Sequence, residues 1–337
     1  MNAAGNAARG AQGKGPASIH PIHAIHPGVA IVGLGNWGSS LAHALHAAGI
    51  PLREAIHAGN SSRKQRTRCP LPRDLRPATL RNACLDASIL WLCVPDSAIA
   101  GVAQRLAERA SEIAPGPAPL RGRIVVHSSG ALSAAVLAPA ARAGASTASV
   151  HPLMTFPTRD PVPLSGVFFA VEADAAAHRK LYGLIRKLKG QPFTITSSGK
   201  AFYHAMGMLS SPLLVSLMAA AEECAARSGL SPREGRRLIE PIATATLRNV
   251  FSRGLPKSFS GPIARGDAEA IHLHLQAMAE HPILANLYRS LALYSLEVLP
   301  VRNGNAIRAA LRELHPKTAK PSRGRSAAST RSGRMRN

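Results

Sequence analysis

Residues 29–41 read VAIVGLGNWGSSL, an apolar run followed by a glycine-rich turn and a run of small residues. Gly33 permits a tight strand-to-helix turn, Gly35 lets the backbone approach a diphosphate, and Gly38 permits close packing of the helix on the strand. Free N–H groups at the helix N-terminus favour an anion there. The stretch therefore predicts a dinucleotide-binding turn, and the alternative is a tight turn that holds no ligand or a different nucleotide-like one. The expected cofactor-binding residues are Gly33, Leu34, Gly35, Asn36, Trp37 and Gly38.

Further apolar runs follow along the chain, and helical patterns separate them. The candidate strands are residues 53–58, 88–95, 122–127, 148–152 and 166–172. Strands that alternate with helices predict a doubly wound sheet, which binds ligands beyond the carboxyl ends of its strands. We expect Val94 and Pro95 to contact the cofactor there. Ser128, Ser129 and His151 are candidates for contacts with the substrate, and the alternative is that they satisfy backbone groups where the strands end.

The loop after the second predicted strand bears on the choice of cofactor. Asn60 lies where a site for NAD(H) places an acid that binds the ribose hydroxyls. The loop has no acid, and instead it offers polar and cationic side chains to a 2′-phosphate. The sequence therefore favours NADP(H) over NAD(H), and the alternative is a solvated basic loop. The residues expected to bind this end of the cofactor are Asn60, Ser61, Ser62 and Arg63.

After residue 196 the pattern is helical throughout. One long helical pattern covers residues 199–228, and Pro212 is expected to kink it. Its most apolar part, residues 206–221, is shorter than a membrane span and contains polar residues, so we predict a buried helix and no membrane partner. The fold class is thus α/β, a doubly wound Rossmann-like sheet followed by an all-α C-terminal domain. The expected segments are a disordered leader (1–28), the nucleotide-binding domain (29–196), the helical domain (197–315) and a disordered basic tail (316–337).

The net charge of +23 is concentrated in part at the C-terminal tail. Seven cations and no acid lie in residues 316–337, while aromatic residues make up only 4% of the chain. We therefore expect no nucleic-acid partner, except nonspecifically through the tail. The four cysteines form no CxxC pair and no metal motif, and residues 1–28 have no apolar core typical of a secretory signal. These features predict a cytoplasmic protein with no metal site.

The chain resembles a family of Rossmann-like proteins whose helical C-terminal domain has no known function, related to pyrroline-5-carboxylate reductases and β-hydroxyacid dehydrogenases. The motifs that carry the resemblance are GLGNWG, CVPDSAI, VVHSSGALS, VHPLMTF, GVFFAVEAD, KAFYHA and SGPIARGD. The resemblance implies a helical domain that forms a homodimer and an active site between the two domains. The family pattern resembles YHAAAVxASN, whereas here Pro212 occupies the position of the final amide.

The first helix after the nucleotide-binding domain carries candidate catalytic residues. Lys200 and His204 are four residues apart and thus share a helical face, which Ser211 is expected to extend as a substrate contact. The resemblance implies that Lys200 matches a lysine that β-hydroxyacid dehydrogenases place on this helix, and either Lys200 or His204 is expected to donate the proton. The alternative is that Lys200 is a solvated residue of the first turn and His204 a hydrogen-bonded core residue. We expect Tyr203 to point to a different face and to lie in the core. Arg265 is a candidate for binding an acidic substrate, and the alternative is an ordinary surface cation.

Three hypotheses follow from the sequence. The first is an NADP(H)-dependent oxidoreductase that acts on a small carbonyl, imine or hydroxy acid. The second is a non-catalytic dinucleotide-binding or sensing protein. The third is a nucleic-acid binder driven by the tails, and salt-dependent DNA binding that persists after deletion of residues 316–337 would argue for the body of the protein rather than the tail.

Overall fold

The apolar runs in the first part of the chain form one β-sheet in the computed structural model, which describes residues 24–58 and 75–313. The sheet built by these residues has eight strands: β1 (His26–Val32), β2 (Leu52–His57), β3 (Arg76–Thr79), β4 (Ala87–Leu92), β5 (Ile124–His127), β6 (Ser146–Pro152), β7 (Phe168–Ala173) and β8 (Gln191–Thr194). Their order is β3-β2-β1-β4-β5-β6-β7-β8. Neighbours are parallel except for the antiparallel pair of β6 and β7. The strands β1, β4, β5 and β6 therefore end at one edge of the sheet, which we call the rim.

Helices cover both faces of the sheet. They are α1 (Asn36–Ala47), α2 (Asp96–Ile113), α3 (Ala138–Arg142) and α4 (Ala175–Lys187), followed by α5 (Lys200–Ser210) after the last strand. Apolar side chains of α1 and α4 pack on one face, and those of α2 and α3 pack on the other. The predicted doubly wound α/β fold is confirmed.

The two edge strands, β3 and β8, are missing from the sequence prediction. Each is four residues long and contains a proline, Pro77 or Pro192, which weakens the strand pattern but is tolerated at a sheet edge. The alternating run 166–172 does form β7, although it is not the last strand and runs antiparallel to β6. Alternation of side chains predicts a strand but not its direction.

The chain divides into two compact units, Met1–Ser211 and Pro212–Asn337. Within its described part, the second unit is entirely helical, as predicted. Its helices are α6 (Pro212–Arg227), α7 (Pro232–Arg253), α8 (Leu255–Ser258), α9 (Pro262–Arg265), α10 (Ala268–Ala277), α11 (Pro282–Val298) and α12 (Gly304–Glu313). Ser231 and Glu234 form a capping box at the start of α7, and Asp267 caps α10. A small core lies between α10, α11 and α12.

The prediction that residues 206–221 form a buried helix is wrong. The break before Pro212 is present, but the stretch Ser197–Arg227 has no buried residue in its most apolar window. It is long and apolar enough to cross a membrane, by length and composition alone, and one such helix is weak support for a membrane span. Apolar side chains lie on several sides of these helices, and the described part of the chain leaves many of them exposed. High apolar content alone did not distinguish an internal core from an exposed apolar surface.

Candidate functional site

The glycine turn fits a bound diphosphate. Gly33 has a φ of +96°, and a Cβ atom there would lie 2.6 Å from the carbonyl oxygen of Cys93. A Cβ atom on Gly38 would collide with the carbonyl oxygen of Gly33, so these two positions require glycine for packing. Gly35 differs, because a Cβ atom there would meet nothing within 4 Å. The backbone at Gly35 is thus open to a ligand.

The N-terminus of α1 adds an electrostatic reason for an anion at this place. No side chain caps the helix, and its first turn contains no acid. The free N–H groups and the positive end of the helix dipole therefore favour a negatively charged group. A dinucleotide would lie with its phosphates over Gly35 and the first turn of α1.

Two side chains of the turn face the protein. The Asn36 amide donates to the carbonyl oxygen of Phe156 at 2.8 Å, and the Trp37 indole donates to the Ser128 hydroxyl at 2.8 Å. The indole of Trp91, in β4, donates to the same hydroxyl at 2.8 Å. Because both indoles use Ser128 as an acceptor, this serine joins the glycine turn to the ends of β4 and β5. The Ser128 hydroxyl still has its own hydrogen, which it can donate to a substrate.

The remaining expected cofactor residues divide into two groups. The side chain of Val94 would lie 2.9 Å from a Cβ atom on Gly33, so the loop after β4 packs against the turn. Pro95 is exposed at the start of α2, and Leu34 packs on the core. The predicted contacts to the adenosine ribose fall on Asn60, Ser61, Ser62 and Arg63, which lie outside the described residues.

The turn after β5 is held by Ser129. Its hydroxyl donates to Asp96 Oδ2 at 2.6 Å and accepts from the amides of Ala131 and Leu132. The Ser129 amide donates to Nδ1 of His127 at 3.1 Å. Ser129 therefore organises the backbone of this turn, while Asp96 is exposed at the rim.

Lys200 lies inside the protein, with 1% of its surface exposed. Its ammonium group donates to Ser149 Oγ at 2.6 Å and to the carbonyl oxygen of Ser129 at 3.3 Å, and Glu172 Oε2 lies 3.8 Å away. The ammonium group thus makes two hydrogen bonds and one longer ion-pair contact. Burial lowers the pKa of Lys200, while the charges of Glu172 and Asp96 oppose that shift.

Glu172 links Lys200 to two neighbouring turns. Its Oε1 atom accepts from the Ala134 amide at 3.1 Å and from the Ser197 hydroxyl at 2.6 Å. Oε2 is buried and accepts no hydrogen bond within the described chain, so its nearest compensation is the charge of Lys200. Removing either member of this pair would leave a buried charge without its partner.

Two histidines lie on the same face of the sheet as Ser149. His127 accepts at Nδ1 from Ser129, which leaves its Nε2–H to donate to the carbonyl oxygen of Ser133 at 3.1 Å. Burial lowers the pKa of His127 to about 4, so this ring is neutral at pH 7. His151 follows Ser149 by two residues in β6 and points to the same side. Its Nδ1 atom lies 2.8 Å from the Tyr203 hydroxyl.

His204 and Gly130 complete this part of the rim. The rings of His151 and His204 meet edge to face with centroids 6.2 Å apart. A Cβ atom on Gly130 would lie 3.0 Å from His151 Nε2 and 2.7 Å from His204 Cδ2. The two imidazoles can approach the backbone here because residue 130 has no side chain. We call Lys200, Tyr203, His204, Ser149, His151 and Glu172 the α5 cluster.

The structure brings together part of the sequence-predicted site. Lys200 and His204 do share the covered face of α5, but Ser211 lies past its end, where helical spacing no longer fixes its direction. Tyr203 is buried, as expected, but the expectation that it points to a different face is wrong, because residues three apart share a helical face and its hydroxyl contacts His151. Arg265 is exposed at the end of α9 in the second unit.

Sequence reasoning missed three members of the site. They are Ser149, Glu172 and Asp96. Ser149 and His151 alternate with buried apolar residues in β6, so the period of two was an available signal for Ser149. The ion pair of Glu172 with Lys200 depends on the antiparallel pairing of β7, which no local pattern indicated.

The fold and the glycine turn define a protein with a Rossmann-like domain followed by helices. A family profile described as a Rossmann-like domain matches residues 14–152, and one described as a domain of unknown function, DUF2520, matches residues 167–295. The chain belongs to the proteins that join a Rossmann-like domain to a DUF2520 domain, as the resemblance implied. No curated protein matches the chain significantly.

Solved structures share the fold at low sequence identity. A proposed NADP oxidoreductase from Bacteroides fragilis superposes with a TM-score of 0.62 at 19% identity, over 81% of this chain and 98% of that one. An imine reductase from Myxococcus stipitatus in complex with NADP+ has a TM-score of 0.58 at 15% identity, over 85% and 99%. A pyrroline carboxylate reductase from Plasmodium falciparum with NADP bound has a TM-score of 0.52 at 14% identity, over 86% and 97%. At these identities the similarity establishes the fold.

Proposed function

We propose that the protein is an NADP(H)-dependent oxidoreductase that acts on a small carbonyl, imine or hydroxy-acid substrate. The observation that carries the proposal is the open backbone at Gly35, at the uncapped start of α1. This anion-binding feature lies on the same rim as the ring nitrogens of His151 and His204, within the first unit. A cofactor site and a set of proton-bearing side chains thus share one edge of the sheet.

The cofactor preference rests on the loop after β2. In the sequence, this loop has no acid for the ribose hydroxyls and offers Arg63 to a 2′-phosphate. The names of the similar Myxococcus and Plasmodium structures include NADP, which agrees with this preference.

When bound, the cofactor supplies a hydride to the substrate or accepts one from it. The protein must then hold the substrate and supply or remove one proton. His204 is half-buried beside Gly130, and its imidazole offers one nitrogen that donates and one that accepts, so it suits the proton transfer. Lys200 is fully enclosed, so it acts on the site through its charge and by holding Ser149 and the Ser129 carbonyl in place.

Turnover tests this proposal. The purified protein would be mixed with NADPH and a panel of small aldehydes, 2-oxo acids and cyclic imines, and NADPH oxidation would be followed by absorbance. We expect oxidation with at least one class, and a loss of at least ten-fold in rate for His204→Asn. Absence of NADPH and NADH binding at millimolar concentration would refute the proposal.

A second candidate is a non-catalytic dinucleotide-binding or sensing protein. The observation in its favour is that the Lys200 ammonium group already contacts Ser149, Ser129 and Glu172, which are all groups of the protein itself. Such a protein would bind NADPH and turn over nothing in the panel. The binding and turnover measurements together therefore separate the two candidates.

We also propose that the protein forms a homodimer through its helical unit. Large apolar side chains are exposed along α7, including Ile242 at 69% and Phe251 at 85% exposure. Exposed apolar surface of this kind commonly marks a protein interface. Light scattering after gel filtration would measure the mass, and we expect a dimer for the wild type and a shift towards monomer for Phe251→Glu.

We place the protein in the cytoplasm. The described cysteines Cys84, Cys93 and Cys224 are free thiols, as a reducing compartment favours. Cell fractionation with an antibody to the protein tests this placement, and recovery in the membrane fraction would contradict it.

A further inference from the structure

The hydrogen bond between Tyr203 and His151 joins α5 to the end of β6. The two rings meet edge to face, with centroids 5.5 Å apart and planes at 85°. Tyr203 is buried, and Phe193 packs against its ring with centroids 5.9 Å apart. The tyrosine side chain is therefore held in position before any ligand binds.

The chemistry of the two groups decides which one donates. A neutral imidazole carries one N–H and one basic nitrogen, and a phenol is a good donor but a weak acceptor. The bond is therefore strongest when the phenol donates. We propose that the Tyr203 hydroxyl donates a hydrogen bond to Nδ1 of His151. The ring hydrogen of His151 then lies on Nε2, which gives the rim a fixed hydrogen-bond donor.

The surroundings keep both partners neutral. Burial lowers the pKa of His151 to about 4, and the electrostatic interactions with His204 and Lys200 act in the same direction, while the interaction with Asp96 opposes them. Burial also raises the pKa of Tyr203 to about 12. At pH 7 the pair therefore holds one phenol proton and one imidazole proton, and the remaining choice is the tautomer.

The position of Nε2 indicates the class of substrate, a step that rests on the proposed function. Within residues 24–58 and 75–313, the hydrogen-bond partner of the His151 ring is on Nδ1, and Nε2 lies beside Gly130 at the rim. A fixed N–H donor binds a group with a lone pair and does not bind an iminium nitrogen, which has none. The site therefore takes the oxygen of a carbonyl compound, an aldehyde or a 2-oxo acid, in preference to an iminium ion.

Nitrogen NMR of histidine-labelled protein tests the tautomer without cofactor or substrate. The chain has 14 histidines, so the His151 signals are assigned by their loss in His151→Asn. We expect the Nε2–H tautomer of His151 at pH 7 in the wild type and a mixture of tautomers in Tyr203→Phe. An Nδ1–H tautomer in the wild type, or an unchanged tautomer in Tyr203→Phe, would overturn the assignment.

The helical unit provides a matched control. The Tyr288 hydroxyl lies 2.9 Å from Nδ1 of His274, with the rings also edge to face at 83°. This second pair is more exposed and belongs to the second unit. Tyr288→Phe removes the same kind of bond, and we expect it to leave the His151 signals unchanged.

The substrate class has its own measurement. NADPH oxidation at pH 7 would be compared for small aldehydes and 2-oxo acids against N-methyl-1-pyrrolinium, an iminium ion whose nitrogen has no lone pair at any pH, with at least a ten-fold faster rate expected for the carbonyl compounds. Faster oxidation with N-methyl-1-pyrrolinium would overturn the substrate class. If NADPH binds and no compound is oxidised, the proposed function and this substrate class are both wrong, whereas the tautomer is still decided by the NMR result.

Discussion

The glycine turn and the α5 cluster lie on one rim of the sheet, but they are assembled from different lengths of chain. The turn consists of consecutive residues, and its open position and its two tightly packed positions all fall within Gly33–Gly38. The α5 cluster takes its members from β6, β7 and α5, and buries an ion pair among them. A local motif can therefore set up the proposed cofactor site, while the proposed proton-transfer site depends on the whole tertiary structure.

The glycine turn and the α5 cluster should differ most in how much stability a substitution costs. Removing Lys200 leaves the buried Oε2 atom of Glu172 without its counter-charge, so we expect Lys200→Met to lower the free energy of unfolding by about 3 kcal/mol. Urea unfolding at pH 7 measures this loss. Lys180→Met, which removes an exposed lysine of α4, is the control and should change stability little.

A double variant sharpens this result. Replacing Glu172 with Gln in the Lys200→Met background removes the orphaned charge, so it should restore part of the lost stability. Equal stability of Lys200→Met and Lys180→Met would show that the buried pair does not hold the cluster together.

The glycine turn should separate folding from binding. A Cβ atom on Gly38 collides with backbone, so Gly38→Ala is expected to lower the free energy of unfolding by about 1–3 kcal/mol and to abolish NADPH binding. Gly35→Ala meets no neighbouring atom, so it should keep the stability and lower NADPH affinity at least ten-fold. Urea unfolding and nucleotide titration measure the two effects.

Gly101, in the exposed part of α2, provides the control for these glycines. A Cβ atom there meets nothing within 4 Å, and Gly101→Ala should raise the free energy of unfolding by about 0.5–1 kcal/mol. Normal NADPH affinity in Gly35→Ala would show that no ligand approaches the open backbone of the turn.

The proposed preference for NADPH over NADH rests on Arg63. We expect Arg63→Ala to weaken NADPH by about ten-fold, which is about 1.4 kcal/mol, and to change NADH binding little. Parallel titrations with the two nucleotides measure the difference. Equal losses for both would contradict a contact between Arg63 and the 2′-phosphate.

Lowering the pH should reduce the stability of the α5 side of the rim, because His127 becomes protonated. Its pKa is about 4 in the folded protein against 6.5 for the ordinary residue, so the unfolded chain binds the proton more tightly. Stability should therefore fall as the pH is lowered from 6.5 towards 4, by an amount on the order of 1 kcal/mol. Urea unfolding between pH 7 and pH 4 would show a smaller fall for His127→Gln than for the wild type. His46→Gln, at an exposed histidine of α1, should follow the wild type.

The same difference between local and distant structure explains what the sequence could predict. The glycine turn and the strands that meet at the rim each follow from a few adjacent residues, and both were predicted. The edge strands were missed because each is short and contains a proline. Within the site, Lys200 and His204 came from helical spacing, whereas Glu172 needed the direction of β7.

The amino-acid composition also did not predict which apolar residues are exposed. Residues 206–221 are apolar enough for a core helix, yet their surface is exposed in the chain as described. Apolar content gives the tendency to be covered but not the surface that covers it.

Dinucleotide binding at the glycine turn is the central claim, and the chain contains its own reporter. Its two tryptophans, Trp37 and Trp91, both donate to Ser128 beside the turn. Titration with NADPH should change their fluorescence and reach saturation below about 1 mM, with at least a ten-fold weaker response in Gly35→Ala. Unchanged fluorescence up to about 1 mM with both NADPH and NADH, supported by the absence of heat in calorimetry, would contradict the claim.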